Sequence, residues 1–243
     1  MTVVILDGRT GPLAPYHEWL DGRDLVLFTG RPVELGGYTD IRVFFDYATT
    51  AAVELAVLDL AARTPVEAIV ATSFTDLVRA GALRDHLGLD GQGRDAAIAR
   101  VDLEDQRVRL CAAGVPTVHS GPVERASDLH WYAHRWGYPL RLRRQRAEGW
   151  PVVALLDDER AVTEFSAATF EPDLWRKPGL VAEPVVAGER RRARGDLARA
   201  ALAALPDDTD GVVETVDGLV DFVGIEADLP SAVRAQAGLE VVR

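Results

Sequence analysis

The chain has 243 residues, enough for two small domains with a sizeable buried core. Its 38 acidic and 27 basic residues give a formal charge of −11, which repels phosphate backbones and anionic lipid and argues against nucleic acid or a membrane as the main partner. No apolar run approaches the roughly 18 residues of a membrane span, and the single cysteine, Cys111, excludes an internal disulfide and fits a reducing, cytoplasmic location.

The opening Met1-Thr2-Val3-Val4-Ile5-Leu6-Asp7 reads as a strand over Val3 to Leu6, without the basic start of a signal peptide. A short helix over Pro12 to Leu20 follows, then strands at Leu25 to Phe28 and Val43 to Phe45. The Ala/Leu-rich stretch Thr49 to Ala62 has helical apolar spacing, Ala68 to Ala71 is a short strand, and Asp76 to Leu87 is a helix closed by Gly88. Strands separated by helices predict a parallel sheet covered on both faces. After a turn at Gly91-Gln92-Gly93, Leu103 to Ala113 reads as a helix stopped by Gly114 and Pro116, with Cys111 as a buried, inert thiol.

Beyond residue 120 the pattern changes to helices mixed with adjacent strands. Ala126 to Trp136 is a helix, Pro139 to Arg143 and Val152 to Leu156 are strands, and Thr163 to Thr169 is a weaker helix. Leu180 to Val186 is a strand interrupted by Pro184, Asp196 to Leu205 a helix, and Asp217-Gly218 a hairpin signal between Val212 to Val216 and Leu219 to Ile225. The domain boundary falls between Ser120 and Arg125, giving domains 1–120 and 121–243.

Several segments, in order, resemble the carboxylate–amine ligase branch of the ATP-grasp superfamily. They are Pro15-Tyr16 with Trp19-Leu20, Asp24-Leu25-Val26-Leu27-Phe28-Thr29, Phe45-Asp46-Tyr47, Pro65 to Ala71, Leu83 to Leu89, Ala113-Gly114-Val115-Pro116-Thr117 and Gly137-Tyr138-Pro139. The resemblance covers residues 1–145 and implies an α/β fold: a parallel-sheet pre-ATP-grasp domain followed by a truncated α+β ATP-grasp lobe. It also implies a bacterial biosynthetic setting, and a homodimer built on the first domain.

Members of that family activate a carboxylate with ATP and Mg²⁺, which takes cations on the phosphates, carboxylates on the metal and a hinge for adenine. The resemblance places Leu103 where the first phosphate lysine belongs, Arg107 where the second does and Arg143 where the third does. A single lysine, Lys177, stands against 26 arginines in the whole chain, so arginine for lysine is a compositional habit; Leu103 is not. The stretch Gln145 to Trp150 stands for the glycine-rich phosphate loop and has only Gly149. Glu183 falls at the adenine hinge and Arg190 at the ribose-binding acid. Glu214 and Glu226 are the metal candidates, in a motif where Gly224 replaces a glutamate and Asp228 an arginine. The span from Arg190 to Glu214 is also much shorter than the family norm.

Outside the resemblance, Arg141 and Arg143 share one face of a strand, toward the expected phosphate side. His130 and His134 share a helix face as a solvated pair, and His119 reads as structural. These residues favour a degenerate homologue, without standard ligation and with no cofactor expected, that binds an anionic small molecule or a partner protein. Two alternatives stay open. One is an active carboxylate–amine ligase using ATP and Mg²⁺; the other is an ATP-independent enzyme working in the remodelled cleft.

Overall fold

The structure is a computed structural model. It describes residues 1–9, 11–33, 36–147, 150–170, 179–185, 190–192, 211–215, 218–222, 233–234 and 236–237, with residues 190–192, 211–215 and 218–222 described by backbone only. Two compact units divide the chain. One comprises Met1–Ile98 with Ala227–Arg243, the other Ala99–Glu226. This cut lies elsewhere than residue 120, and it returns the carboxyl-terminal segment to the first unit.

The first unit is built on β1 (Thr2–Asp7), β2 (Asp24–Thr29), β3 (Asp40–Val43) and β4 (Val66–Ala71). They form a parallel sheet in the order β3-β2-β1-β4. Every residue of β1 is buried because the sheet is covered on both faces. Val3 and Ile5 pack with Tyr16, Leu20 and Val70 on one side, and Val4 and Leu6 with Phe28, Val53, Val57 and Leu83 on the other. The helices are α1 (Tyr16–Trp19), α2 (Ala52–Ala61) and α3 (Phe74–Leu87), and the division between the units falls within α4 (Arg94–Val101). Ser73 caps α3 by accepting from the Asp76 N–H, and Gly88 ends it at φ 65°. Gly81 lets α3 approach the chain at Gly93 and Arg94, where a Cβ would lie 2.8 Å from three backbone atoms.

Among the described residues, Arg84 is the largest fully buried side chain of this unit. Its guanidinium donates to the Ile69 carbonyl, to the Gln92 carbonyl at 2.9 Å and to Gln236 Oε1 at 2.9 Å. Burial pulls its pKa down to about 10 against the pull of Asp85, so it stays charged at neutral pH. Gln236 Oε1 also accepts from the Ala71 N–H at 2.9 Å, on the outer strand of the sheet. With Val233 and Ala237 in the apolar core, this ties the carboxyl-terminal residues to β4.

The second unit carries α5 (Leu103–Ala112), β5 (Gly121–Val123), α6 (Ala126–Trp136), β6 (Leu140–Arg144), β7 (Val152–Leu156), α7 (Glu159–Thr169) and β8 (Leu180–Pro184). Its antiparallel sheet runs β5-β8-β6-β7. Leu140, Leu142, Leu156, Leu180 and Ala182 face Leu129, Tyr132 and Val162 of α6 and α7 in one core. A further sheet, β10-β11-β9, joins β9 (Arg190–Arg192), β10 (Gly211–Thr215) and β11 (Gly218–Phe222). Its hairpin pairs Thr215 with Gly218, so Gly218 opens β11 rather than lying in the turn, one residue earlier than the Asp217-Gly218 signal predicts. The predicted helix over Asp196 to Leu205 lies outside the described residues. Among the described residues, no helix is long and apolar enough to cross a membrane.

Candidate functional site

Leu140 and Leu142 of β6 point into the α6–α7 core, so alternation sends Arg141 and Arg143 to the opposite face. The β6–β8 register sets Arg141 opposite Glu183. Arg107 reaches the same carboxylate from α5. Three guanidiniums therefore converge on Glu183. Arg107 Nη2 and Arg141 Nε donate to it in short contacts, and Arg143 Nε donates at 2.6 Å.

Glu183 is 0% exposed, and the Arg107, Arg141 and Arg143 side chains are 11%, 15% and 20% exposed. Burial works to raise the Glu183 carboxyl, but the combined charge of Arg107, Arg143 and Arg141 outweighs it and holds the group below its ordinary value. The carboxylate predicted to face an adenine is thus enclosed by guanidiniums.

A second carboxylate, Asp102, organises the start of α5. It accepts from the Glu104 and Asp105 N–H groups at 3.1 and 3.3 Å, filling the anion-attracting helix terminus from within. It also accepts from Gln145 Nε2 at 3.0 Å and from Arg146 Nε at 2.7 Å. Burial opposes its ionisation, yet these hydrogen bonds hold its pKa down. Trp150 Nε1 donates to the Val101 carbonyl at 3.3 Å, and the Trp150 carbonyl accepts from Arg143 Nη1 at 3.1 Å. The described ends of the expected phosphate-loop stretch are therefore bound to the α4–α5 junction and to β6; Glu148 and Gly149 lie outside the described residues. Leu103, 4% exposed, is a buried core residue.

Of the residues predicted from sequence, the structure gathers Arg107, Arg141, Arg143 and Glu183 at one point. Arg190 lies on β9 opposite Leu219, and Glu214 on β10 opposite the same residue, but their side chains are outside the described residues, as is Glu226. Among the described residues, no group of three metal-ligating side chains comes together. His130 and His134 are exposed. Cys111 is exposed rather than buried, because α5 turns Leu103, Gln106 and Leu110 inward and leaves the residue after Leu110 outside that stripe. His119 is exposed too and stacks on Trp136, with ring centroids 6.3 Å apart. Asp102 and Glu104 were missing from the sequence candidates; the Asp-x-x-Asp spacing at the helix start is the signal for the first.

No family model matches the sequence, and no curated protein matches it. Solved structures do match. One is an L-amino acid ligase from Bacillus licheniformis, at 13% identity over 96% of this chain and 69% of that one, with a TM-score of 0.66. Another is an N5-carboxyaminoimidazole synthetase from Staphylococcus aureus complexed with ADP, at 13% identity over 99% and 78%, TM-score 0.66. A third is the biotin carboxylase domain of Hydrogenobacter thermophilus 2-oxoglutarate carboxylase with MgADP, ADP and bicarbonate, at 15% identity over 100% and 70%, TM-score 0.68. Identities this low establish the fold alone. The chain has the ATP-grasp fold: a parallel-sheet pre-grasp domain and an α+β grasp lobe, in a chain shorter than these three.

Proposed function

We propose that this ATP-grasp-fold protein does not perform standard ATP-dependent ligation and that the arginine face of its second unit holds a small anion. The observation that carries the reading is the enclosure of Glu183 by Arg107, Arg141 and Arg143. Charge-assisted hydrogen bonds of this kind are the strong ones. A triphosphate recruiting the same guanidiniums has to break them and leave a buried carboxylate uncompensated. The helix terminus beside them is filled by Asp102. A small anion that touches the partly exposed edges of the guanidiniums meets neither obstacle.

The rival reading, an active carboxylate–amine ligase, draws on Arg107 and Arg143 standing on one side chain, as two phosphate-binding cations must. ATP would then lie on them, with Mg²⁺ on Glu214 and Glu226. Both readings are tested by measuring ADP release with pairs of carboxylates and amines in the presence of Mg²⁺. The proposal expects no release above the protein-free blank, together with saturable, salt-sensitive binding of inorganic phosphate that weakens in Arg143→Ala. ADP release that depends on both substrates and is abolished in Arg143→Ala establishes the ligase instead.

A further inference from the structure

In the first unit the chain runs outward from β1 to β2 and β3, then crosses back to lay β4 on the other side of β1. The strand order therefore reverses between β1 and β4. In open parallel sheets the carboxyl ends of the strands at such a reversal border a crevice suited to ligands. Asp7 ends β1, Thr29 ends β2 and Thr72 follows β4. Two arginines stand at this end of the sheet. Arg9 Nε donates to Asp7 Oδ1 at 2.8 Å and Arg31 Nη2 to Asp7 Oδ2 at 3.2 Å, so one carboxylate, 0% exposed, holds both guanidiniums. Arg9 Nη2 also donates to the Tyr16 hydroxyl at 3.2 Å, which lies 2.6 Å from Thr72 Oγ1 and so links the end of β1 to the end of β4. Arg31 Nη1 donates to the Gly11 carbonyl.

These contacts fix the two side chains without using them up. Arg9 Nη1 and Arg31 Nε have no hydrogen-bond partner among the described residues, and neither is a buried atom. The side chains are 26% and 27% exposed, so a solute can reach them. Two guanidiniums also face the single charge of Asp7, one more than pairing a buried carboxylate requires. The neighbouring buried carboxylate, Asp76, accepts from the Gly8 N–H at 2.7 Å and is paired with Arg79, which also holds Glu54. We propose that Arg9 and Arg31 form an oxyanion site at the carboxyl end of the first sheet, taking a small carboxylate or phosphate group on the two open donors. Guanidinium N–H groups offer donors only and bind ionised oxygens most strongly, so an ammonium is repelled and a neutral amide gains no charge pairing. The site lies wholly in the first unit and stands whether or not the arginine face of the second holds an anion.

The test follows the arginine Nε–H signals of the full-length protein by heteronuclear NMR at neutral pH. Sodium acetate, sodium phosphate and sodium chloride are titrated separately at one constant ionic strength. The Arg31 Nε–H signal, identified by its loss in Arg31→Gln, is expected to shift saturably with acetate or phosphate and not with chloride. Comparing the two oxyanion titrations tells which source the site prefers. Arg9→Gln leaves Arg31 on Asp7 and is expected to weaken the binding several-fold; if that variant fails to fold, the wild-type titrations decide. Arg143→Ala, in the other unit, is expected to leave the Arg31 titration unchanged, which separates this site from the one proposed above. No saturable shift with either oxyanion, an equal shift with chloride, or a shift that is lost in Arg143→Ala overturns the proposal.

Discussion

Replacing Glu183 by alanine is expected to lower the unfolding free energy by about 3 kcal/mol, because it strands three guanidiniums that are mostly buried. That figure sits at the low end of the range for breaking a buried ion pair, since the arginines keep an edge in solvent that screens part of the loss. Urea unfolding of Glu183→Ala and Glu183→Gln beside the wild type separates charge from shape. Glutamine keeps the volume but not the charge, so most of the loss is expected there too. A glutamine variant as stable as the wild type contradicts the electrostatic account.

The same carboxylate predicts a pH dependence. Its folded pKa is lowered, so its contribution is fully present above the ordinary value of 4.5 and drains away as the pH falls through the lowered one. The gap between wild type and Glu183→Ala should therefore be constant from neutral pH down to about 5 and close only in stronger acid. A gap that closes between pH 7 and 6 points to a different group.

Arg84→Met is the second large effect, an expected loss of about 3 kcal/mol with little change in packed volume. Among the described residues Arg84 has no buried carboxylate beside it; its hydrogen bonds run to the Ile69 and Gln92 carbonyls and to Gln236. Methionine removes those donors from buried acceptors and offers none in return. Gln236→Ala, which removes one acceptor and the bond to Ala71, should cost about 1 kcal/mol. If Arg84→Met changes stability by less than Gln236→Ala, the guanidinium does not tie the carboxyl-terminal residues to β4.

Both side chains show what a sequence can and cannot reveal. The strands of the first unit were legible because Val3 to Leu6 and Ile69 to Ala71 are buried on both faces, and such strands read as unbroken apolar runs. Helix α4 escaped notice because Arg94–Val101 is short and mixes Arg and Ala, without a clear apolar stripe. Strand β5 is only Gly121–Val123, too short for alternation to register.

At the site, the face shared by Arg141 and Arg143 was legible from the two-residue period of a strand. That Glu183 would lie opposite Arg141 was not, because the β6–β8 register joins residues about forty positions apart. That pairing, together with Arg107 reaching over from α5, gathers the three candidate anion-binding arginines around Glu183. The expectation of a buried Cys111 rests on the general tendency of free cysteine to lie in cores, which the position of this residue, next to Leu110 but outside the stripe of Leu103, Gln106 and Leu110, overrides.

Isothermal titration with ATP in the presence and absence of Mg²⁺ tests the central claim most directly. With the guanidiniums held by Glu183 and the α5 terminus filled by Asp102, no saturable, Mg²⁺-dependent heat is expected at micromolar nucleotide. Micromolar binding that requires Mg²⁺ contradicts the account and restores the ligase.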